Sequence, residues 1–272
     1  MSSNAPEAVV RPFRRYRSKT PKITVFYWIL KLLASAAGGV LTDLLTSTPG
    51  LGLAVTTMLV VTSVAVVMLI QFSAGGYRPR LYWLAVVLLS IFGNLIVDNL
   101  TEVLEVPLDA AACACAVLLT GTFIAWYLTE RTLSIHTVDT TRRETFYWFA
   151  VLLTFTGGSA AQRLAVQVLG LGYGSTAVAA AAVLVIAGIA HRFRRVLVPF
   201  WLAYTATQPL GLTLGGFLTE PHDTGGAGLG MNAAAITLLG GLAAVVAYVS
   251  RTYRDDPSLD NAMQNLRSPQ GS

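Results

Sequence analysis

The chain alternates between long apolar stretches and short polar connections over nearly its whole length. A helix that crosses a membrane needs about 20 mostly apolar residues, whereas a strand of a membrane β-barrel needs only about ten that alternate. The apolar stretches are of the first kind, so their length predicts helices. The pattern predicts an all-α, polytopic membrane protein with eight transmembrane helices, at about residues 24–46, 51–72, 81–104, 110–128, 145–169, 175–190, 196–218 and 229–249.

The composition supports the same class. Hydrophobic residues make up 54% of the chain and charged residues only 12%, whereas a soluble domain carries roughly a quarter charged residues. This excludes an ordinary soluble domain, and the lipid bilayer is the first partner that the sequence predicts. The two cysteines, Cys113 and Cys115, are two residues apart in the fourth stretch. A helix would point them in different directions, so no disulfide is expected.

The charges of the connections alternate along the chain. Lys and Arg lie in both tails and in the second, fourth and sixth connections, whereas the third and seventh carry acids without Lys or Arg. Membrane proteins concentrate Lys and Arg on the cytoplasmic side, so eight spans place both termini inside the cell. The net charge of +5 is then a signal of topology, and no binding of nucleic acid is predicted.

The odd-numbered helices share one spacing of residues. In each, a Trp is followed ten residues on by Gly, and five residues further on by Asp, Arg or Gly. Such self-similarity indicates repeated structural units, here four helix pairs that run parallel about an axis along the membrane normal. The four sets are Trp28, Gly38 and Asp43; Trp83, Gly93 and Asp98; Trp148, Gly158 and Arg163; and Trp201, Gly211 and Gly216.

The helix pairs are predicted at about residues 23–76, 77–136, 142–192 and 195–250 of a membrane domain that covers 23–252. A basic cytoplasmic tail (1–22) precedes the domain and a polar one (253–272) follows it. The Gly near the middle of each odd helix predicts close packing, because Gly lets helix backbones approach one another. The Tyr or Phe before each Trp is typical of the aromatic belt at a membrane interface.

The position five residues after each repeat Gly is the candidate site. The shared register places Asp43, Asp98 and Arg163 at one depth, and ionisable groups inside a membrane are costly and usually paired or functional. The planar fork of Arg suits a buried carboxylate, so Arg163 is expected within salt-bridge reach of Asp43, Asp98 or both. Two interpretations stay open, an ion pair that holds the repeats together and a binding site for a solute or ion.

Four further polar residues join this candidate site. Asn94 and Glu102 lie on the same helical face as Asp98, because they are separated from it by four residues on either side. Lys31 lies in the first helix, where it either extends to the interface or meets a partner or substrate. Gln208 precedes a proline that is expected to kink the seventh helix.

No catalytic set is recognisable in the sequence. There is no Ser-His-Asp order, no HExxH or CxxC motif and no P-loop, and the histidines fall in connections or at the ends of helices. The glycine-rich segment before the eighth helix is a weak signal by itself. The sequence therefore predicts a protein that is not an enzyme and has no cofactor.

Four segments carry a resemblance to a known family. They are KTPKITVFYWILKLLASAAGGVLTD, RLYWLAVVLLSIFGNLIVDNLTE, RRETFYWFAVLLTFTGG and PFWLAYTATQPLGLTLGGFL, in that order. Over residues 21–252 the chain resembles bacterial uncharacterised membrane-anchored proteins built from a repeated domain of unknown function. The resemblance implies a fold and a place in the bacterial plasma membrane more than an activity.

The same family pattern marks where this chain departs from it. Repeats of the family tend to read Gly, then Glu or Thr, three further residues and Asp. Asp43 and Asp98 match that final Asp, whereas Arg163 and Gly216 stand in its place in the other two repeats. Gln208 stands where Arg is frequent. The chain has thus lost acids from the expected ring and gained a base.

Two functions from different classes fit these features. The first is a transporter of a small solute or ion, with Arg163 as a fixed cation that would shift the preference towards anions or zwitterions, or abolish transport. The second is a membrane scaffold or accessory subunit, in which the polar ring only joins helices. A cavity between the odd helices that water reaches and these side chains line would favour transport, whereas dry, mutually satisfied packing would favour the scaffold.

Overall fold

Every regular element of the computed structural model is helical within residues 19–135, 138, 140–194 and 197–254, which are the residues that the structure describes. Most of both predicted tails lies outside these ranges. The α-helices are α1 (Val25–Ser47), α2 (Gly52–Ser73), α3 (Pro79–Asp98), α4 (Leu108–Glu130), α5 (Thr141–Arg163), α6 (Gly172–Arg194), α7 (Leu197–Thr219) and α8 (Gly230–Arg254).

Seven helices of the described chain are long and apolar enough to cross a membrane, namely α1 to α6 and α8. The protein is therefore a multi-pass membrane protein. The sequence predicted eight spans, of which the sixth was the shortest. In the structure α6 is nevertheless long and apolar enough to cross a membrane, and α7 is the helix that is not among the seven. α7 carries Gln208 and Pro209 together with several threonines, which lower its apolar character.

The odd-numbered helices form the inside of the bundle and the even-numbered helices the outside. α1, α3, α5 and α7 contact one another in a closed ring, in that order, and α7 returns to α1. Each even helix packs mainly on the odd helix that follows it: α2 on α3, α4 on α5, α6 on α7, and α8 on α1. The even helices expose large apolar side chains, such as Met58, Val117, Val178 and Ile236, which suit contact with lipid tails. The odd-numbered helices therefore line the centre of the bundle.

The repeat glycines are the points at which neighbouring odd helices cross. A methyl group added to Gly38 would lie 2.2 Å from the Ser90 side chain of α3, and one added to Gly93 would lie 2.8 Å from Phe155 of α5. The same addition at Gly158 would meet Gln208 of α7 at 2.6 Å, and at Gly211 it would meet Ser35 of α1 at 2.4 Å. In each case the side chain that is met lies three residues before the glycine of its own helix. The predicted packing role of these glycines is confirmed.

Aromatic side chains fill one end of the ring of odd helices, and their contacts also recur from each odd helix to the next. In each odd helix the Tyr or Phe before the repeat Trp contacts the repeat Trp of the next odd helix. The ring-centroid distances are 5.7 Å for Tyr27 and Trp83, 5.4 Å for Tyr82 and Trp148, 6.2 Å for Tyr147 and Trp201, and 5.8 Å for Phe200 and Trp28. We call this end of the bundle, where the odd helices begin, the aromatic end. Since like ends meet in every pair, the odd helices run in the same direction.

The interpretation of these aromatic residues as an interfacial belt is wrong for most of them. Tyr82 and Tyr147 are fully buried, their hydroxyl groups are hydrogen-bonded to each other, and Trp83 is also buried. These rings face the centre of the bundle rather than the lipid. The physical reason is that the repeat glycines narrow the ring of helices, so that the preceding turns meet at the axis and large rings fill the space there.

Substitution of Gly93 by Ala should destabilise the protein. The added methyl would come within 2.9 Å of the Thr156 backbone nitrogen, and overpacking of this kind typically costs about 1–3 kcal/mol. Gly121, on α4, has nothing within 4 Å of the added position, so Gly121→Ala is the matched control and should be neutral or slightly stabilising. The measurement is the midpoint of thermal unfolding of both purified variants in detergent. Equal midpoints would show that the crossing is not tight.

Candidate solute-binding cavity

A polar cavity of about 310 Å³ lies between the odd helices at the end opposite the aromatic rings. We call this the cavity end. All four odd helices contribute to its wall, and the charged residues in the lining are three carboxylates and one guanidinium: Asp43, Asp98, Glu102 and Arg163. The volume is within the range of about 300–1,000 Å³ that is usual for small-molecule sites. A polar cavity is unusual in the centre of a helical membrane protein unless it meets water or a solute.

Arg163 and Asp98 form an ion pair across the cavity wall. Arg163 Nη1 donates to Asp98 Oδ1, and the side chains are 21% and 9% exposed. The predicted pairing of Arg163 with a repeat aspartate is thus confirmed for Asp98. The two residues are equivalent in the repeat register of α3 and α5, which places them side by side.

Asp43 lines the same cavity but has a different environment. Its carboxylate is exposed and accepts no hydrogen bond and no ion pair from a described residue. The fourth equivalent position is Gly216, and the ring of Tyr173 from α6 lies 3.1 Å from where its side chain would begin. The cavity therefore presents one unpaired carboxylate, one aromatic ring and one neutralised ion pair around a single level.

A chain of hydrogen bonds lies beneath this level. Asn94 Nδ2 donates to Thr42 Oγ1 at 3.5 Å, and Gln208 Nε2 donates to Asn94 Oδ1 at 3.4 Å. Gln208 also meets Ser90 Oγ at 3.4 Å. Gln208 is fully buried, and it fills the axis directly below the cavity. Asn94 and Gln208 thus form the floor rather than a free binding surface.

One buried hydroxyl in the cavity wall lacks a partner. Ser159 lies one residue after the repeat glycine of α5, the position that Asn94 holds in α3. Its side chain is fully buried and lines the cavity, and its Oγ has no hydrogen-bond partner among the described residues. Buried polar groups are nearly always hydrogen-bonded. Ser159 therefore marks a place where a polar solute or water would be bound.

Two π-helical turns lie at the mouth of the cavity. They follow immediately after the ion-paired residues of α3 and α5, at Asn99–Val103 and Leu164–Val168. Glu102 and Gln167 lie at equivalent positions in these turns, and both line the cavity. Glu102 is exposed. A second cavity of about 440 Å³ shares Glu102, Arg163 and Gln167 with the first, so the polar wall continues outwards. Single π-helical turns are frequent at functional sites.

Lys31 lies outside the cavity, on the axis near the aromatic end. It is only 1% exposed, so the alternative in which it extends to the interface is wrong. Its Nζ lies 3.6 Å from the centre of the Phe155 ring, 4.3 Å from that of Tyr204, and 3.5 Å from Ser35 Oγ. No described carboxylate pairs with it. The narrow crossings hold α1 too tightly against its neighbours for the side chain to leave the centre.

The structure brings together five of the seven predicted site residues and separates two. Those that line the cavity are Asp43, Asn94, Asp98, Glu102 and Arg163, whereas Gln208 supports the floor from below through Asn94 and Lys31 lies deeper. Ser159 could have been found by applying the repeat register to Asn94. The sequence carries no comparable signal for Tyr173, which reaches the cavity from an even helix. Among the described residues, no group of three or more His, Cys, Asp or Glu side chains could hold a metal ion.

These features define a multi-pass helical membrane protein with an internal repeat and a polar cavity on its axis. The chain belongs to the family described as Repeat of Unknown Function (DUF347), whose model matches residues 26–77, 81–132 and 199–255. The matches cover the pairs α1–α2, α3–α4 and α7–α8, and the model does not match the pair α5–α6. The predicted membership of a family built from a repeated domain of unknown function is confirmed. No curated protein and no solved structure matches the chain.

Removal of Arg163 should destabilise the protein more than neutralisation of Asp43. Arg163→Gln leaves the carboxylate of Asp98 without its partner, whereas Asp43→Asn breaks no ion pair of the described residues. Breaking a fully buried pair costs about 3–5 kcal/mol, and the partial exposure of this pair makes the cost smaller. The double variant Asp98→Asn with Arg163→Gln should recover stability relative to Arg163→Gln. Thermal unfolding in detergent measures this cycle, and strictly additive losses would contradict an interaction between the two side chains.

Proposed function

We propose that the protein transports a small cationic solute across the membrane. The observation that carries this proposal is the axial cavity, whose wall holds a carboxylate and a buried hydroxyl without partners, Asp43 and Ser159. A cavity on the axis that is open at one end and closed at the other is the arrangement expected of one state of a transporter that alternates between two openings.

The charges of the lining favour a cation. Arg163 is held by Asp98, so it does not offer an uncompensated positive charge to an anion. Asp43 and Glu102 then remain as negative groups around the same space. Tyr173 adds an aromatic face at this level, and aromatic faces attract organic cations. With Arg163 neutralised in this way, the cavity does not have the preference for anions or zwitterions that a free guanidinium would give it.

We also propose that α5 and α6 form a fourth copy of the repeat and that α7 crosses the membrane with the others. The support is the contact geometry, because Gly158 and Tyr147 make the same contacts with the next odd helix as their counterparts in the matched copies. This copy carries Arg163 at the position of Asp43 and Asp98, and the cavity has its ion pair there. In this arrangement the pairs have one orientation, and the whole membrane domain has eight spans.

The orientation follows from the charges of the connections. With Lys and Arg on the cytoplasmic side, the aromatic end faces the cytoplasm and the cavity faces outwards, in the plasma membrane of a bacterium. A cysteine placed at Ser47, at the cavity end, should then react with an impermeant thiol reagent in intact cells. A cysteine at Gly75, at the aromatic end, should react only after permeabilisation. The reverse result would invert the orientation.

The alternative function is a scaffold or accessory subunit. A scaffold needs only mutually satisfied contacts between helices, and the floor residues Asn94 and Gln208 fit that role equally well. The unpaired groups of the cavity wall fit it less well, because unsatisfied polar groups would weaken the assembly. A measurement of solute flux across the membrane therefore distinguishes the two functions.

Proteoliposomes that contain the protein should take up small cations, and Asp43→Asn should lose most of this uptake. The reason is that the carboxylate of Asp43 is unpaired and lies at the level of the ion pair in the cavity wall, while its loss breaks no ion pair of the described residues. The panel is sodium, rubidium, magnesium and manganese ions and tetramethylammonium, each compared with empty liposomes. Asp109→Asn, which neutralises an exposed acid outside the cavity lining, is the matched control and should transport as the wild type does. Wild-type flux equal to that of empty liposomes for every probe would favour the scaffold.

A further inference from the structure

We propose that Lys31 is the residue that binds and releases a proton during each transport cycle, so that solute movement is coupled to a proton gradient. The inference rests on the proposed function, and it concerns a level of the axis that the cavity does not reach. It begins from the position of Lys31 between the two ends of the bundle.

The repeat register divides the axis into levels. Seven residues before each repeat glycine lie Lys31, Val86, Val151 and Tyr204, which are all buried. The next level towards the cavity holds Ser35, Ser90, Phe155 and Gln208, three residues before the glycines. The next level towards the aromatic end holds Tyr27, Tyr82, Tyr147 and Phe200. Lys31 is the one Lys, Arg, Asp or Glu in these levels, which lie wholly within the described residues.

The surroundings of Lys31 do not neutralise an ammonium group. Its contacts are two aromatic faces and one hydroxyl, from Phe155, Tyr204 and Ser35. Aromatic faces attract a cation but do not remove its charge, whereas structural lysines buried in a membrane are expected to be paired. The other three residues at this level are apolar or aromatic. The presence of a lysine among them is explained if the charge of its amino group must change.

The titratable groups that packed helices bring to this level and the next are tyrosines: Tyr27 from α1 itself, Tyr82 from α3, Tyr147 from α5 and Tyr204 from α7. α2 contains no ionisable residue. α8 offers Tyr248, whose exposed ring lies on Phe26 at the outer side of the bundle. No described carboxylate takes part, so the proton carried at this level is that of the Lys31 ammonium group.

The proton step is a simple acid–base exchange with water. When the axis opens towards one end, an Nζ–H bond breaks, the electron pair stays on Nζ, and the proton passes to a water molecule of that compartment. When the axis opens towards the other end, water of the second compartment returns a proton to Nζ. Lys31 is closed off from both ends in the present state, by the tyrosines on one side and by Gln208 and Ser90 on the other.

Two flux assays separate coupling from transport. Solute exchange, with equal concentrations of rubidium or tetramethylammonium on both sides, needs no net proton movement. Uptake against a concentration gradient, driven by an imposed pH difference, does need net proton movement. The wild type should show both. Lys31→Met should retain exchange and lose gradient-driven uptake to the level of empty liposomes, whereas Lys22→Met, at an exposed lysine outside the helices, should retain both.

Lys31→Arg distinguishes a proton carrier from a structural cation. The guanidinium keeps the positive charge and the attraction to the rings but does not release a proton in proteins. The proposal predicts that this variant also loses gradient-driven uptake while it retains exchange, and it serves the same purpose if Lys31→Met does not fold. Restoration of gradient-driven uptake by Arg, or its retention in Lys31→Met, would overturn the role of Lys31. A wild type that transports none of the five cations of the panel would overturn the proposed function, and the coupling with it.

Discussion

The architecture depends on the close approach of helix backbones at the repeat glycines. Each glycine admits a side chain or backbone of the next odd helix at a distance that a methyl group would block. In a membrane, where lipid is as apolar as the helix surface, such close packing is a main source of helix association. Because the contact recurs around the ring, it fixes the levels at which all other side chains meet on the axis.

The skeleton is regular, but the residues at each level are not. At the cavity level an ion pair, a free carboxylate and a glycine occupy equivalent positions, and an aromatic ring from α6 fills the space beside the glycine. At the level of Lys31, three apolar or aromatic residues accompany one amine. Because the backbone is regular, equivalent residues of the odd helices lie at the same depth. Because their side chains differ, each level has its own set of charged, polar or aromatic groups. Arg163, which lies on a helix that the family model does not match, is thus part of a cavity lined mainly by residues of the matched segments.

Much of this arrangement could be predicted from the sequence because the repeat carries three-dimensional information. The register of the repeat glycines was enough to place Asp43 and Asp98 at the depth of Arg163, and the structure shows that Asp98 is the partner. Tyr and Trp occur both in the interior of a helix bundle and at its lipid-facing surface. The residue types alone therefore did not predict that Tyr82 and Tyr147 are buried. The π-helical turns and the approach of Tyr173 depend on local backbone geometry and on helix-to-helix packing, which the spacing of residues does not encode. The burial of Lys31 depends on how closely α1 packs against its neighbours. That distance is set only when all four odd helices have assembled, so the sequence alone did not predict it.

The most direct test of this account is the accessibility of cysteines along α1 and α2 in a variant without Cys113 and Cys115. An impermeant thiol reagent, added outside intact cells, should react with a cysteine at Asp43 in the cavity. It should not react at Ser35, below the floor, or at Met58, which faces outwards from α2 into lipid. Protection at Asp43 equal to that at Met58, both in intact and in permeabilised cells, would show a dry bundle without an open cavity and would contradict the presence of a solute-binding site on the axis.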